Sequence, residues 1–98
     1  MRISYNTLAL ADARKIAIRY GNDAGPEIAA DFTAEIDSCL DKIIECPASF
    51  AIKARDVRSA NLSRFPCQIL FRLIGDDQVR VLAVRHHRQR PSYGMRRR

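Results

Sequence analysis

Apolar side chains recur every three or four residues between positions 28 and 43, and this is the clearest periodic pattern in the chain. Such spacing places them along one side of an α-helix. Gly25-Pro26 suits the start of this helix, because the first turn does not need the N–H that proline lacks, and Pro47 suits its end. The apolar positions of this predicted helix are Ile28, Phe32, Ile36, Cys39, Leu40 and Ile43.

A weaker pattern of the same kind predicts a helix from about Leu8 to Tyr20. Asn6 or Thr7 is expected to cap it, because a short polar side chain accepts from the free amides of the first turn. Gly21-Asn22-Asp23 is expected to end it, and the short link to the next helix predicts an antiparallel helical hairpin. Ala9, Ala13, Ile16, Ala17 and Tyr20 form the apolar side, and Asp12, Arg14, Lys15 and Arg19 are placed elsewhere.

Alternation of side chains on both sides of Gly75-Asp76-Asp77 predicts a β-hairpin, since glycine and aspartate suit a tight reversal. Side chains two apart lie on the same face of a strand. One face of the hairpin is entirely apolar and is expected to pack against the helices. Its members are Cys67, Ile69, Phe71, Leu73, Val79, Val81 and Ala83.

The opposite face of the hairpin mixes aliphatic and cationic groups, and a fully solvated face would carry fewer aliphatic ones. We interpret it as a surface on which a partner helix or an anionic ligand docks. The alternative is that the tail of the chain itself covers part of the sheet. This second face carries Gln68, Leu70, Arg72, Ile74, Arg80, Leu82, Val84 and His86.

The remaining segments complete an α+β fold of order β-α-α-β-β-β, with a mostly antiparallel sheet covered on one face by the helical hairpin. Residues 1–5 alternate as a short edge strand, and residues 57–64 read as a strand that leads into the hairpin. Residues 50–56 are either a loop or the start of that strand. A chain of 98 residues is expected to form one domain, spanning residues 1–98.

The formal net charge of +6 is concentrated in a basic C-terminal tail, residues 85–98. Six of the 17 basic residues lie there with no acid, and the other 11 balance the 11 acids of the preceding chain. Clustered arginine is typical of proteins that bind a polyanion or an acidic partner. The alternative, which applies above all to Arg96, Arg97 and Arg98, is a solvated tail.

Several kinds of site find no support in the sequence. His86 and His87 are adjacent, so on a strand they point to opposite faces, and no acid or cysteine nearby completes a metal site. The three cysteines have no paired spacing and are expected to be reduced. No nucleotide-binding glycine motif occurs, and no cofactor is expected. Without a long apolar run or a signal peptide, no membrane association is expected and a cytoplasmic protein is the default.

Two runs in the second half of the chain carry a family resemblance. They are RFP-x-x-I-x-F from Arg64 to Phe71 and V-x-V-L-A-V-x-H-x-R-x-x-P-x-Y from Val79 to Tyr93. Together with the helical hairpin they resemble the RelE/ParE superfamily, the growth-arresting toxins of type II toxin–antitoxin systems, often called plasmid stabilisation proteins. The resemblance covers nearly the whole chain and implies the same fold.

The resemblance leaves the target of the toxin open. ParE-like relatives inhibit DNA gyrase by binding and are not enzymes, and the V-L-A-V-x-H-x-R-x-x-P ending favours this branch. The alternative is a RelE-like, metal-independent endoribonuclease that cuts mRNA in the ribosome. A third reading is a chain that has lost its activity and only binds its antitoxin. Candidate groups for proton transfer and phosphate binding in RNA cleavage are Lys53, Arg58, Arg72, Arg80, His86 and Tyr93.

Two binding surfaces are predicted along with the target. The cognate antitoxin is expected to form a hetero-oligomer through an amphipathic segment with acidic margins. Expected target-binding residues are Arg85, His86, Arg88, Arg90 and Tyr93. Expected antitoxin-binding residues are Leu70, Arg72, Ile74, Arg80, Leu82 and Val84.

Overall fold

A five-stranded sheet with two helices on one face forms the architecture of the computed structural model, which describes all 98 residues. The sheet order is β1-β5-β4-β3-β2, with β1 parallel to β5 and all other neighbours antiparallel. The predicted α+β class is confirmed, with one more strand than expected, because part of the ambiguous segment pairs with β3. The elements are β1 (Arg2–Tyr5), α1 (Thr7–Ala24), α2 (Pro26–Glu45), a 3-10 turn (Pro47–Ser49), β2 (Ile52–Ala54), β3 (Val57–Asn61), β4 (Cys67–Ile74) and β5 (Gln78–His86).

Helix α1 begins as predicted but is longer than predicted. Asn6 caps it, and its Oδ1 accepts from the Leu8 amide at 2.9 Å. The helix passes through Gly21 and ends at Gly25, where φ is 99°. The expected end at Gly21 is wrong because a single glycine inside a helix costs only about 1 kcal/mol relative to alanine. Contacts between α1 and α2 easily offset that cost.

The main core lies between the helices and the sheet. Phe32 is 1% exposed, and its ring centroid lies 5.4 Å from those of both Tyr20 and Phe65. The first arm of the hairpin turns its predicted apolar face to this core. The buried members of this helix-side core are Ala9, Phe32, Ile36, Cys39, Ile43, Ala60, Leu62, Cys67, Ile69, Phe71, Val79, Val81 and Val84.

A β-bulge in β5 changes which side chains face the helices. Phe71 pairs with Val81 but Leu70 pairs with Ala83, so Leu82 is an extra residue in its strand. Leu82 and Ala83 therefore share the face away from the helices, whereas Val84 packs into the helix-side core. The opposite assignments of Ala83 and Val84 made from strict alternation are wrong.

The C-terminal tail covers the second face of the sheet. Val57, Leu70, Leu82 and Ala83 form a buried cluster there, and Tyr93 and Met95 pack on it. The interpretation of this face as an open docking surface is wrong at these positions. Coverage by the tail, the alternative reading, is what the structure shows.

Candidate functional site

Asp12 fastens the tail to the rest of the molecule. Its carboxylate is 6% exposed and accepts from the Tyr93 hydroxyl at 2.5 Å and from Arg97 Nη1 at 2.6 Å. It also accepts from the Val84 amide at 3.1 Å, next to the bulge. The sequence-based expectation that Asp12 faces away from the apolar side of α1 is wrong. Its spacing of three from Ala9 and four from Ile16 was the signal that places it inward.

Arg97 completes this network, and nothing in the sequence distinguishes it from the other arginines of the tail. Its guanidinium lies 4.8 Å from the centroid of the Tyr93 ring and donates to the Leu82 carbonyl at 3.2 Å. Burial alone would lower the pKa of Arg97, but the hydrogen bonds to Asp12 and Tyr93 raise it above its ordinary value. Arg97 therefore remains a cation paired with the Asp12 carboxylate.

Gly94 lets the tail approach the sheet closely. Its φ is 77°, and a Cβ at this position would lie 2.4 Å from the Ala83 Cβ. Both the backbone conformation and the distance to the bulged strand favour glycine.

We expect Gly94→Ala to destabilise the protein by about 2–4 kcal/mol, the sum of backbone strain and overpacking. Gly75→Ala is the matched control, because Gly75 also has a positive φ of 60° but an added Cβ would meet nothing within 4 Å. Urea unfolding of the two variants measures the difference. Equal losses of unfolding free energy in the two variants would mean that Gly94 does not pack closely against Ala83.

A groove of about 890 Å³ runs between α1 and the turn that follows β5. Lys15 and Arg19 line it from α1, and His86, Arg88 and Tyr93 line it from the other side. Three of the five predicted target-binding residues therefore share one concave surface. The two cations from α1 were not predicted, because their meeting with the tail depends on how the helix packs.

His86 lines the groove from the helix side of the sheet, since the bulge reverses the face expected for it. Burial lowers the pKa of His86 below its usual 6.5, and Arg88, His87, Arg19 and Arg85 lower it further. Its Nδ1 accepts from the Arg88 amide at 3.1 Å. The lowered pKa favours the neutral form of His86, whose Nδ1 contact supports the turn.

Arg85 and Arg90 lie outside this groove. Arg85 is buried, and it donates to Gln68 Oε1 at 2.9 Å and to the Gln89 carbonyl at 2.6 Å. The expectation that Arg85 is available to a target is therefore wrong: it braces the turn after β5. Arg90 is exposed and makes no side-chain hydrogen bond or ion pair.

The residues predicted for RNA cleavage do not assemble into one site. Arg58 donates to the Phe50 carbonyl at 2.7 Å, and Lys53 donates to Gln68 at 3.1 Å. Arg80 donates to the main-chain oxygen of Arg98 at 3.3 Å.

The other three members of this set divide between two hollows. Arg72 pairs with Asp56 at 3.3 Å and lines a separate pocket, whereas His86 and Tyr93 line the groove. The hydroxyl of Tyr93 already binds Asp12. A base, an acid and a phosphate-binding cation are thus not brought together by this set.

The predicted antitoxin surface is only partly accessible. Leu70 and Leu82 are fully buried, and Val84 is buried against the helices. Ile74 is 41% exposed, and Arg72 and Arg80 are partly exposed. The expectation of an exposed aliphatic stripe is therefore wrong, and its accessible remnant is the edge nearest the β4–β5 turn.

The chain holds no group of three or more side chains arranged to bind a metal ion. Cys39, Cys46 and Cys67 are unpaired, and burial raises the pKa of Cys67 to about 11. Neither helix is long and apolar enough to cross a membrane.

Comparison with known proteins adds a family to this geometry. The family model described as the ParE toxin of the type II toxin–antitoxin system, parDE, matches residues 3–91. No curated protein matches the chain. Among solved structures, a chain of the chromosomal ParDE TA system from P. aeruginosa has the same fold, with a TM-score of 0.78 and 24% sequence identity over 88% of this chain and 95% of that chain. With its family match spanning residues 3–91, the chain belongs to the ParE toxin family of type II toxin–antitoxin systems.

Proposed function

We propose that this toxin arrests growth by binding DNA gyrase through the groove between α1 and the turn after β5. The observation that carries the proposal is the concentration of exposed cations on a concave surface, with Lys15, Arg19 and Arg88 at its margins. Of the two acids in the groove, Asp12 is neutralised by Arg97, and Asp23 lies 3.9 Å from Arg19 in an exposed pair. An exposed ion pair contributes little free energy, so Arg19 can exchange Asp23 for a carboxylate of a partner. The groove therefore suits an acidic protein surface.

The contacts of His86 and Tyr93 support binding rather than RNA cleavage. Nδ1 of His86 accepts a main-chain hydrogen bond, and the Tyr93 hydroxyl lies between Asp12 and Arg97. A general base at Nδ1 of His86 would have to give up the Arg88 amide, and a general acid at the Tyr93 hydroxyl would have to give up Asp12. Binding to gyrase places no such demand on them.

A cognate antitoxin of amphipathic character with acidic margins is the proposed neutralising partner, in a hetero-oligomer with the toxin. Ile74, Arg72 and Arg80 remain accessible to it. Leu70 and Leu82 can reach an antitoxin only after residues 91–98 move off the sheet. Acidic groups on the partner would speed its association and make that association sensitive to salt.

Charge reversal in the groove tests the gyrase proposal. We expect Lys15→Glu combined with Arg88→Glu to require about 100-fold more protein for half-inhibition of gyrase supercoiling, because unfavourable charge contacts at an interface cost several kcal/mol. Arg14→Glu combined with Arg90→Glu is the control, since both residues are exposed, carry the same charge and lie outside the groove lining. Equal loss in the two variants would contradict a specific groove.

Primer extension on ribosome-bound mRNA decides between the two targets. We expect no codon-dependent cuts at protein concentrations that inhibit supercoiling. Cuts without inhibition of gyrase would instead establish the endoribonuclease reading. His86→Ala would then lower cleavage by about 10²–10⁴-fold, and the gyrase proposal would be abandoned.

A further inference from the structure

A second hollow, of about 550 Å³, lies on the tail-covered face of the sheet and is lined by four arginines and one methionine. The arginines are Arg55, Arg72, Arg96 and Arg98, and Met95 is the remaining member. No acidic side chain is among the lining residues. We call this hollow the arginine pocket.

Three separate parts of the chain build the arginine pocket. Arg72 lies on β4, and Arg55 lies in the turn between β2 and β3 with a φ of 55°, which is unusual for a residue other than glycine. The tail supplies the other two. Arg97 is directed inward to Asp12, and its neighbours Arg96 and Arg98 are exposed and line the pocket. The bond between Arg97 and the buried carboxylate on α1 thereby holds the main chain between these two cations.

The guanidinium group of Arg72, which lines the arginine pocket, is not fully hydrogen-bonded. Its Nε is buried and has no hydrogen-bond partner. Its only acidic partner is Asp56, at 3.3 Å from Nη2, and that carboxylate is 62% exposed. Buried donors without partners are rare and costly, so the hydrogen bonding of this guanidinium is incomplete. Because Nε itself is covered, an oxyanion in the pocket would accept from the outer nitrogens of Arg72, whose side chain is 21% exposed.

We propose that the arginine pocket binds a phosphoryl group, carried by a nucleotide or by the backbone of a nucleic acid. Planar guanidinium groups match the oxygens of phosphate in paired hydrogen bonds. Four guanidinium groups also offer more hydrogen-bond donors than a single carboxylate can accept. Arginine does not lose its proton in proteins, and Met95 transfers none. The pocket therefore binds its ligand without cleaving it. Its lining shares no residue with the proposed gyrase-binding groove, so the two proposals stand or fall separately.

Calorimetric titration with inorganic pyrophosphate at low salt tests the pocket. We expect one saturable site, weakened about tenfold or more in Arg55→Gln combined with Arg96→Gln, because each change removes a charge-assisted contact. Both residues are exposed, so the fold should tolerate the changes. The control is Arg14→Gln combined with Arg90→Gln, which lowers the charge equally outside both the pocket and the groove and should change affinity less than about twofold. Absence of a saturable site, or equal weakening in the control, would overturn the proposal.

A variant that strengthens binding provides the second arm. Asp56→Asn removes the carboxylate that competes for Arg72 and is expected to tighten pyrophosphate binding severalfold. Asp76→Asn makes the same charge change at the exposed β4–β5 turn and should have little effect. Equal tightening by both would show a general charge effect and reject the pocket. Competition with ATP and with single-stranded RNA and DNA oligomers then identifies which source of phosphoryl group the pocket prefers.

Discussion

Asp12→Ala is expected to lower the free energy of unfolding by about 3–5 kcal/mol. The substitution leaves Arg97 as an unpaired cation with a side chain only 16% exposed, and it removes the acceptors of the Val84 amide and the Tyr93 hydroxyl. Urea unfolding followed by circular dichroism measures the change. A loss under about 1 kcal/mol would mean that Asp12 does not fasten the tail.

Two companion variants separate the ion pair from the other contacts of Asp12. Asp12→Asn keeps a similar shape and an acceptor but loses the charge, so it should cost less than alanine. Asp12→Ala combined with Arg97→Met should also cost less than Asp12→Ala alone, because the stranded cation is gone. If the double variant were as unstable as the sum of the single variants, the two residues would not be coupled.

Phe32→Ala is expected to cost about 3–5 kcal/mol, since it empties the space of a fully buried ring. The ring lies between Tyr20 and Phe65, which joins α2, α1 and the segment before β4. A typical domain has only about 5–15 kcal/mol of total stability, so the variant is expected to be partly unfolded at 37 °C. Thermal unfolding by calorimetry measures the effect.

Leu10→Ala is the control for Phe32→Ala. Leu10 is also an apolar residue of a helix, but it is 54% exposed. Its truncation should change stability by less than about 0.5 kcal/mol. A cost below about 1 kcal/mol for Phe32→Ala would contradict the position of this ring in the helix-side core.

The helical hairpin and the β4–β5 hairpin were predictable because polar residues separate their apolar side chains at regular intervals. Residues 81–84, Val-Leu-Ala-Val, include no polar residue that would mark the outer face of the strand. Four apolar residues in a row fit either face of a strand, so the bulge at Leu82 left no mark in the pattern. The faces of Ala83, Val84 and His86 could therefore be learned only from the pairing with β4.

The candidate sites were less predictable than the fold, because they depend on where the tail lies. The charge of the arginines is visible in the sequence. The position of the tail depends instead on Tyr93 and Met95, which pack on buried aliphatic residues. The spacing of Asp12 within α1 was readable, but its partner Arg97 lies 85 positions away. The meeting of Arg55, Arg72, Arg96 and Arg98 similarly has no signature along the sequence.

The parallel pairing of β1 with β5 has a consequence for how the molecule is made. Residues 2–5 are synthesised long before their strand partners, residues 78–81. Asp12 likewise has to wait for Val84, Tyr93 and Arg97. Contacts between distant positions form slowly, because closing a long loop costs entropy before the contacts can stabilise the chain. A nascent chain interrupted before residue 78 therefore has neither its outer strand paired nor its buried carboxylate satisfied.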